Sequence, residues 1–171
     1  MAVTVYLTIT GEEDVAAGAN SEDSVGALGI ASHEDEIQIL GVEENYYLPT
    51  DPETGQQSGA PISEGLTVLK YVDQSSPLLF QAMVQGEVFE EAELTYLWIN
   101  PSGEEEEYFS KSMEKVTVTD IRPYIPNTLV SENEGYTHME KVTFRYIKTV
   151  WEHAIAETIG IFNVGIFQSE E

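Results

Sequence analysis

The chain has 171 residues, of which 31 are acidic and 7 are basic, so its formal net charge is −24. This length is typical of one compact domain, and we treat residues 1–171 as a single domain. The charge argues against binding to nucleic acid or to anionic membranes, because phosphate groups would be repelled. The chain has no cysteine, which excludes disulfides, thiolate catalysis and cysteine-ligated metals. It also has no apolar run of the roughly 20 residues that a membrane-spanning helix requires.

The first predicted element is a strand near the N-terminus. Apolar side chains alternate with threonine and tyrosine over residues 3–10, which is typical of a half-buried strand. The same residues lack the basic segment and the continuous apolar run of a signal peptide, so we expect no cleaved signal. Residues 11–33 are rich in Gly, Ala, Ser and acidic side chains and are predicted to form a loop. Residues 36–44 alternate around Ile37 and Ile39 and are predicted to form the second strand.

The longest predicted connection covers residues 45–65. It contains three prolines and three glycines, which argue against any regular element there. A loop of this length without secondary structure is uncommon in a compact domain unless it has a function, such as gripping a partner. Tyr46, Tyr47 and Leu48 are also too apolar for an idle solvated loop. We therefore expect a protruding arm.

A third strand is predicted over residues 66–72, and a single helix follows it. Ser76 can cap the free N–H groups of a first helical turn, and Pro77 suits the first helical position. Apolar side chains then recur at helical spacing, and Gly86 provides a stop signal. The sequence therefore predicts a helix over residues 77–85.

The pattern of strands returns after the helix. Strands are predicted over residues 92–99 and 108–113, joined by the turn 100–103, and then over residues 116–121, 139–151 and 158–167. Many short strands with one helix and no alternation of strands and helices indicate a mainly β fold. We expect a two-sheet β-barrel or sandwich with one short α-helix and a long protruding loop.

No catalytic or metal-binding motif occurs in the structural context that its chemistry needs. No two of His33, His138 and His153 have the spacing of a helical metal pair, and His33 is interpreted as a surface histidine in an acidic loop. Ser112 and Lys115 match a Ser-x-x-Lys motif, but that chemistry needs a helix and they fall at a predicted strand end. We therefore expect a protein that is not an enzyme and that has no cofactor or bound metal.

Five stretches of the sequence carry a resemblance to a known family. They are VYL at 5–7, NYYLPTD at 45–51, KYVDQSSPLL at 70–79, EEEYF at 105–109 and MEKVTFRY at 139–146. In their order and spacing over nearly the whole chain, they resemble the haemolysin-coregulated protein (Hcp) family, the tube proteins of bacterial type VI secretion systems. The chain departs from the family in the acidity of residues 11–33 and in the sequence TVWEH at 149–153.

The resemblance implies a tube protein that forms homohexameric rings, which stack into the expelled inner tube. It implies sheath and spike-tip proteins as partners, and effector proteins in the lumen. It also implies a protein that begins in the bacterial cytoplasm and is secreted to the outside without a cleaved signal peptide. The family's protruding hairpin contacts the adjacent ring, which suggests inter-subunit or inter-ring contacts at Tyr46, Tyr47, Leu48, Pro49, Thr50 and Asp51.

The competing hypothesis is a monomeric β-sandwich module that binds a ligand such as a carbohydrate. Tyr96, Trp98 and Tyr108 would then form a stacking platform. These aromatic residues fall at period two on a predicted hairpin, so packing into the core explains them equally well. Size-exclusion chromatography separates the two hypotheses, because a ring elutes at several times the monomer mass.

Overall fold

The computed structural model describes residues 3–164, and this part of the chain forms eight strands and two α-helices. The helices are α1 (Glu22–Val25) and α2 (Ser75–Gln85). The strands are β1 (Thr4–Thr10), β2 (Ile37–Tyr47), β3 (Ile62–Tyr71), β4 (Val88–Ile99), β5 (Glu105–Tyr124), β6 (Met139–Arg145), β7 (Lys148–His153) and β8 (Thr158–Asn163).

The strands form one antiparallel sheet in the order β4-β1-β2-β3-β6-β5-β7-β8. A further pairing between β4 and β5 closes the first six strands into a barrel, and β7 and β8 extend from β5. The predicted mainly β barrel is therefore confirmed.

The barrel divides into two sheets. β1 and β2 pair over only three residues, and β5 changes its partner from β7 to β6 along its length. The four-stranded sheet consists of β2, β3, β6 and the C-terminal part of β5. The five-stranded sheet consists of β1, β4, the N-terminal part of β5, β7 and β8. Apolar side chains from both sheets fill the core between them, among them Leu7, Ile9, Leu66, Val68, Leu94, Met113, Val142 and Phe144.

Residues 11–36 contain more structure than the loop that the sequence predicts. They form α1 and two turns of 3-10 helix, at Gly26–Leu28 and Ala31–His33. Val15, Ala16 and Ala19 are buried in the core cluster. The sequence gives no sign of these helical turns, because segments of three or four residues are too short to show an apolar period.

A fully buried lysine joins β3, β6 and the start of α2. The Nζ of Lys70 donates hydrogen bonds to Glu140 Oε1 at 2.7 Å, to Asp73 Oδ1 at 3.0 Å and to Ser76 Oγ at 3.1 Å. Ser76 therefore belongs to this cluster and is not the helix cap that the sequence suggests. Asp73 Oδ1 instead accepts a bond from the backbone N–H of Ser75 at 2.8 Å, so α2 begins two residues before the predicted start.

The predicted end of α2 is confirmed. Gly86 has a left-handed backbone (φ 66°, ψ 32°), a conformation that glycine adopts without steric cost. Its N–H donates to the carbonyl oxygen of Met83 at 3.2 Å. The helix therefore stops where the sequence predicts, and β4 begins two residues later.

Several strand boundaries differ from the prediction, and β4 begins at Val88, four residues before its predicted start. The two strands predicted over residues 108–121 are one long strand, β5, in which Lys115 has a positive φ of 53°. The strand predicted over residues 139–151 is two strands, because Tyr146 and Ile147 separate β6 from β7. The last strand ends at Asn163, and the predicted residues 165–167 lie outside the described part of the chain.

Replacement of Leu79 by alanine tests the docking of α2. Leu79 is fully buried, whereas Phe80 is 55% exposed on the same helix. Loss of the Leu79 side chain leaves a cavity in the core, so we expect Leu79→Ala to lower the free energy of unfolding by about 2–5 kcal/mol. Phe80→Ala is the matched control and should unfold within about 0.5 kcal/mol of wild type. Equal effects of the two variants in urea denaturation would contradict this docking.

Candidate functional site

The three longest strand edges without a partner among the described strands are on β2, β5 and β8. From Leu40 to Tyr47, β2 pairs only with β3. Residues 118–124 of β5 pair only with β6, and β8 pairs only with β7. Open edges present rows of free backbone N–H and C=O groups, which favour pairing with another chain. The first two open edges lie at opposite sides of the same four-stranded sheet.

Exposed apolar side chains lie in several places on the surface. On β8, Ile159 and Ile161 are each 63% exposed, and on α2 Phe80 and Val84 are exposed. In the segment after β5, Leu129 is 93% exposed. Large exposed apolar side chains such as these are typical of protein–protein contacts when they form continuous patches.

The arm is a continuation of the β2–β3 hairpin, which corrects the prediction that residues 45–65 lack regular structure. β2 extends to Tyr47 and β3 begins at Ile62. Beyond them, Thr50 and Gln57 form an isolated bridge. The sequence pattern missed these residues because irregular pairing near Tyr46 interrupts the strand alternation.

The tip of the arm is an ordered turn. The Oδ1 atom of Asp51 accepts bonds from the backbone N–H of Glu53 at 2.8 Å and of Thr54 at 3.0 Å. The bonds from Thr54 and Glu53 lower the pKa of Asp51, because they stabilise its charged form. Gly55 has a positive φ of 70°, which allows the chain to reverse.

The six candidate contact residues divide into two groups. Tyr47, Leu48, Thr50 and Asp51 are exposed and Pro49 is half-buried, so these five lie on the arm. The ring of Tyr46 instead packs edge-on against Trp151 and Phe162 of the same chain, at centroid distances of 5.5 and 5.4 Å. Its hydroxyl contacts the hydroxyl of Tyr146. Tyr46 therefore belongs to the base of the arm.

Lys111 lies at the centre of that base and is only 1% exposed. Its Nζ forms an ion pair with Glu44 and donates to the Tyr46 hydroxyl at 3.1 Å. The same atom lies 5.0 Å from the ring centroid of Tyr146 and 5.7 Å from that of Trp151, within cation–π distance. Burial lowers the pKa of Lys111, and the hydrogen bond to Glu44 opposes this shift.

Sequence reasoning missed the role of Lys111, although one signal was available. Phe109, Lys111 and Met113 alternate along one predicted strand, so the lysine falls on the apolar face. Its partners lie far away in the sequence: Glu44 is 67 residues from Lys111. The alternation predicts a buried cation, and only the fold identifies its carboxylate.

His33 is not the surface histidine that the sequence suggests. Its ring stacks on Tyr6 at a centroid distance of 3.9 Å, and its side chain is only 14% exposed. Nδ1 contacts Glu36, and Nε2 contacts Glu105 at 2.9 Å. Both nitrogens face carboxylates, which suits the doubly protonated imidazolium. Burial alone would lower the pKa of His33, but hydrogen bonds to Glu105 and Glu36 outweigh it and raise the pKa.

The aromatic residues of the competing ligand-binding hypothesis largely contact one another. The rings of Trp98 and Tyr108 stack at 4.5 Å, and Tyr96 packs edge-on against Phe109 at 5.3 Å. Trp98 Nε1 donates to Glu106 at 3.1 Å. The ring faces that would receive a sugar are therefore partly covered by neighbouring aromatic rings.

Within residues 3–164, no helix is both long and apolar enough to cross a membrane. The same residues contain no group of three or more histidine and acidic side chains arranged to bind a metal ion.

Comparisons with known proteins agree with this architecture. A family model described as "Type VI secretion system effector, Hcp" matches residues 6–153. The "Major exported protein" of Pseudomonas aeruginosa is 33% identical over 162 residues, which cover 94% of each chain. A crystal structure of an Hcp protein superposes with a TM-score of 0.91 at 30% identity, covering 97% of this chain and 100% of that one. The secreted protein Hcp3 from Pseudomonas aeruginosa superposes with a TM-score of 0.76 at 29% identity, covering 95% and 98%.

The contacts of His33 predict that its contribution to the free energy of unfolding depends on pH. Because the folded-state pKa of His33 is raised, its contribution is complete below the unfolded pKa of about 6.5 and is lost as pH rises through the folded pKa. We expect the difference in unfolding free energy between wild type and His33→Gln to be largest at acidic pH and to shrink at alkaline pH. Urea denaturation across pH measures it. The exposed His138→Gln is the control, and a His33 difference that is independent of pH would contradict the prediction.

Proposed function

The chain belongs to the Hcp family of type VI secretion tube proteins, and from this premise we propose that it assembles into hexameric rings that stack into a tube. We further propose that the tube carries effector proteins, that a contractile sheath expels it, and that a spike protein caps it. As a member of this family, the chain is a secreted protein of a type VI secretion system.

The observation that carries the ring proposal is the pair of open edges on the four-stranded sheet. One edge belongs to β2 and the other to β5, so the two surfaces differ. A contact between two different surfaces repeats from copy to copy and closes into a ring when the rotation between copies allows it. Pairing β2 of one copy beside β5 of the next would satisfy the free backbone groups of both edges.

The arm supports the stacking proposal. It extends the β2–β3 hairpin beyond the barrel and exposes Tyr47 and Leu48, which are 45% and 46% exposed. Its base is fixed by the contacts of Lys111 with Glu44 and Tyr46. An arm with a fixed base and an apolar surface is suited to contact a neighbouring subunit or ring, and we assign this role to Tyr47, Leu48, Pro49, Thr50 and Asp51.

We propose a structural function without catalysis. Ser112 and Lys115 lie on β5, and Lys115 pairs with Glu90 at 2.6 Å instead of approaching Ser112. The Ser-x-x-Lys motif therefore lacks the geometry of an acyl-enzyme site. We also propose that the protein is made in the bacterial cytoplasm and is exported from there by the secretion system.

Engineered cysteines test the ring directly, because the chain has no cysteine of its own. We place Glu43→Cys on β2 and combine it in turn with Asp120→Cys, Arg122→Cys and Tyr124→Cys on β5. If neighbouring copies pair through these edges, one of the three cysteine combinations should form disulfides between copies. After oxidation, non-reducing gels of that variant should show a ladder of bands that ends at the hexamer.

Single-cysteine variants are the controls and should give at most dimers. Oxidation that leaves every pair monomeric, together with a monomer in sedimentation, would reject the ring and favour the ligand-binding module. A ladder that ends at the dimer would indicate contact between two identical edges.

A shortened arm tests the stacking proposal separately. Replacing residues 51–61 with a Gly-Ser linker removes the exposed turn but leaves the Lys111 cluster intact. We expect rings of normal mass and melting temperature that no longer form tubes, as seen by negative-stain electron microscopy. Tubes of normal length and number would show that residues 51–61 of the arm have no part in stacking.

A further inference from the structure

One face of the four-stranded sheet is free of the rest of the subunit, and we call it the β6 face. Lys141 on β6 lies opposite Leu69 on one side and Arg122 on the other. In the next row, Thr67 and Thr143 share a hydrogen bond at 2.9 Å. The core lies behind this sheet. The β6 face consists of Gly41, Glu43, Thr67, Leu69, Asp120, Arg122, Lys141, Thr143 and Arg145.

The β6 face contains three of the seven basic residues of the chain. Arg122 is paired with Asp120 through Nε and Oδ2 at 2.8 Å. Within residues 3–164, Lys141 and Arg145 are the only basic side chains without a carboxylate at ion-pair distance. Arg145 instead donates to the backbone carbonyl of Ser63 at 2.7 Å. Two exposed cations therefore remain without a counter-charge in a chain of net charge −24.

Acidic residues are concentrated on other surfaces. The β6 face has the carboxylates of Glu43 and Asp120, with Glu64 at its rim, so its charges are nearly balanced. Glu93 on β4, in the five-stranded sheet, lies among other carboxylates. Burial raises the pKa of Glu93, and repulsion from Glu107, Glu91 and Glu152 raises it further. The five-stranded sheet therefore bears a clear acidic excess that the β6 face lacks.

In the proposed ring, the β2 and β5 edges that join neighbouring copies determine where the β6 face lies. Its position therefore rests on the proposed function. If β2 of one copy adjoins β5 of the next, the four-stranded sheets form a continuous wall. The core, the five-stranded sheet and α2 all lie behind that wall, and this bulk fits only on the outside of a closed ring. The β6 face then lines the channel and remains uncovered by other copies.

We propose that the β6 face selects cargo proteins that carry an acidic surface patch. Lys141 and Arg145 would pair with carboxylates of the cargo, and the hydroxyls of Thr67 and Thr143 would accept or donate further hydrogen bonds. Gly41 has no side chain and leaves a shallow depression beside Leu69, which Glu43 and Lys141 also line. The face is polar, so binding should be reversible and weakened by salt.

A fluorescein-labelled oligoglutamate peptide serves as the probe, with binding followed by fluorescence anisotropy. We expect Lys141→Gln/Arg145→Gln to weaken peptide binding about tenfold. Lys115→Gln/Lys148→Gln is the matched control, because it removes the same charge from residues that are paired with Glu90 and Glu114 outside the β6 face. The control should bind as wild type does. Lys141→Arg should retain binding.

Three results would overturn the proposal. One is an equal loss in the two double variants, which would show a general effect of net charge. Another is the absence of saturable binding to wild type. The third is equal binding of a labelled DNA duplex, which would indicate a site for any polyanion. Sedimentation of each sample reports ring formation independently, so a monomeric wild type would reject the proposed function while the peptide comparison still tests the charge of the face.

Discussion

Two lysines that are buried in a strongly acidic chain connect the parts of this barrel. Lys70 joins β3, β6 and the start of α2 through Glu140, Asp73 and Ser76. Lys111 joins β5 to β2 through Glu44. Removing one member of a buried ion pair leaves an uncompensated charge, which typically costs about 3–5 kcal/mol. These clusters therefore fix which strands are neighbours, although a buried pair adds little stability over an apolar one.

Placing two of the seven basic residues in the interior determines the charge of the surface. Lys115 and Lys148 are paired with Glu90 and Glu114, so they do little to offset the remaining acidic excess. At about 0.15 M salt, charges interact over about 8 Å, so acidic subunits in contact repel one another. The proposed assembly must therefore depend on surfaces where that repulsion is small, such as the exposed isoleucines of β8.

The sequence predicts the barrel well because strand alternation and turn residues are local signals. The turn at Asn100–Gly103 and the helix stop at Gly86 both occur where the sequence indicates. The sequence-based prediction fails where the contact partner of a residue is distant in the sequence. Ser76 is suited to be a helix cap, but Glu140, 64 residues away, accepts its hydroxyl hydrogen bond. In the sequence Tyr46 resembles an exposed loop residue. In the fold its hydroxyl contacts the hydroxyl of Tyr146, which is 100 residues away.

The β2–β3 hairpin contains the features on which the proposed assembly depends. Between Leu40 and Tyr47, β2 supplies an open edge, and Glu43 and Thr67 contribute to the β6 face. The same two strands continue into the arm, and Lys111 fixes the outer part of β2 to the barrel wall through Glu44 and Tyr46. Ring closure, the channel surface and the inter-ring arm would thus share one rigid element. A change at the Lys111 cluster should therefore affect stacking and cargo binding together, whereas changes at the arm tip or at Lys141 should separate them.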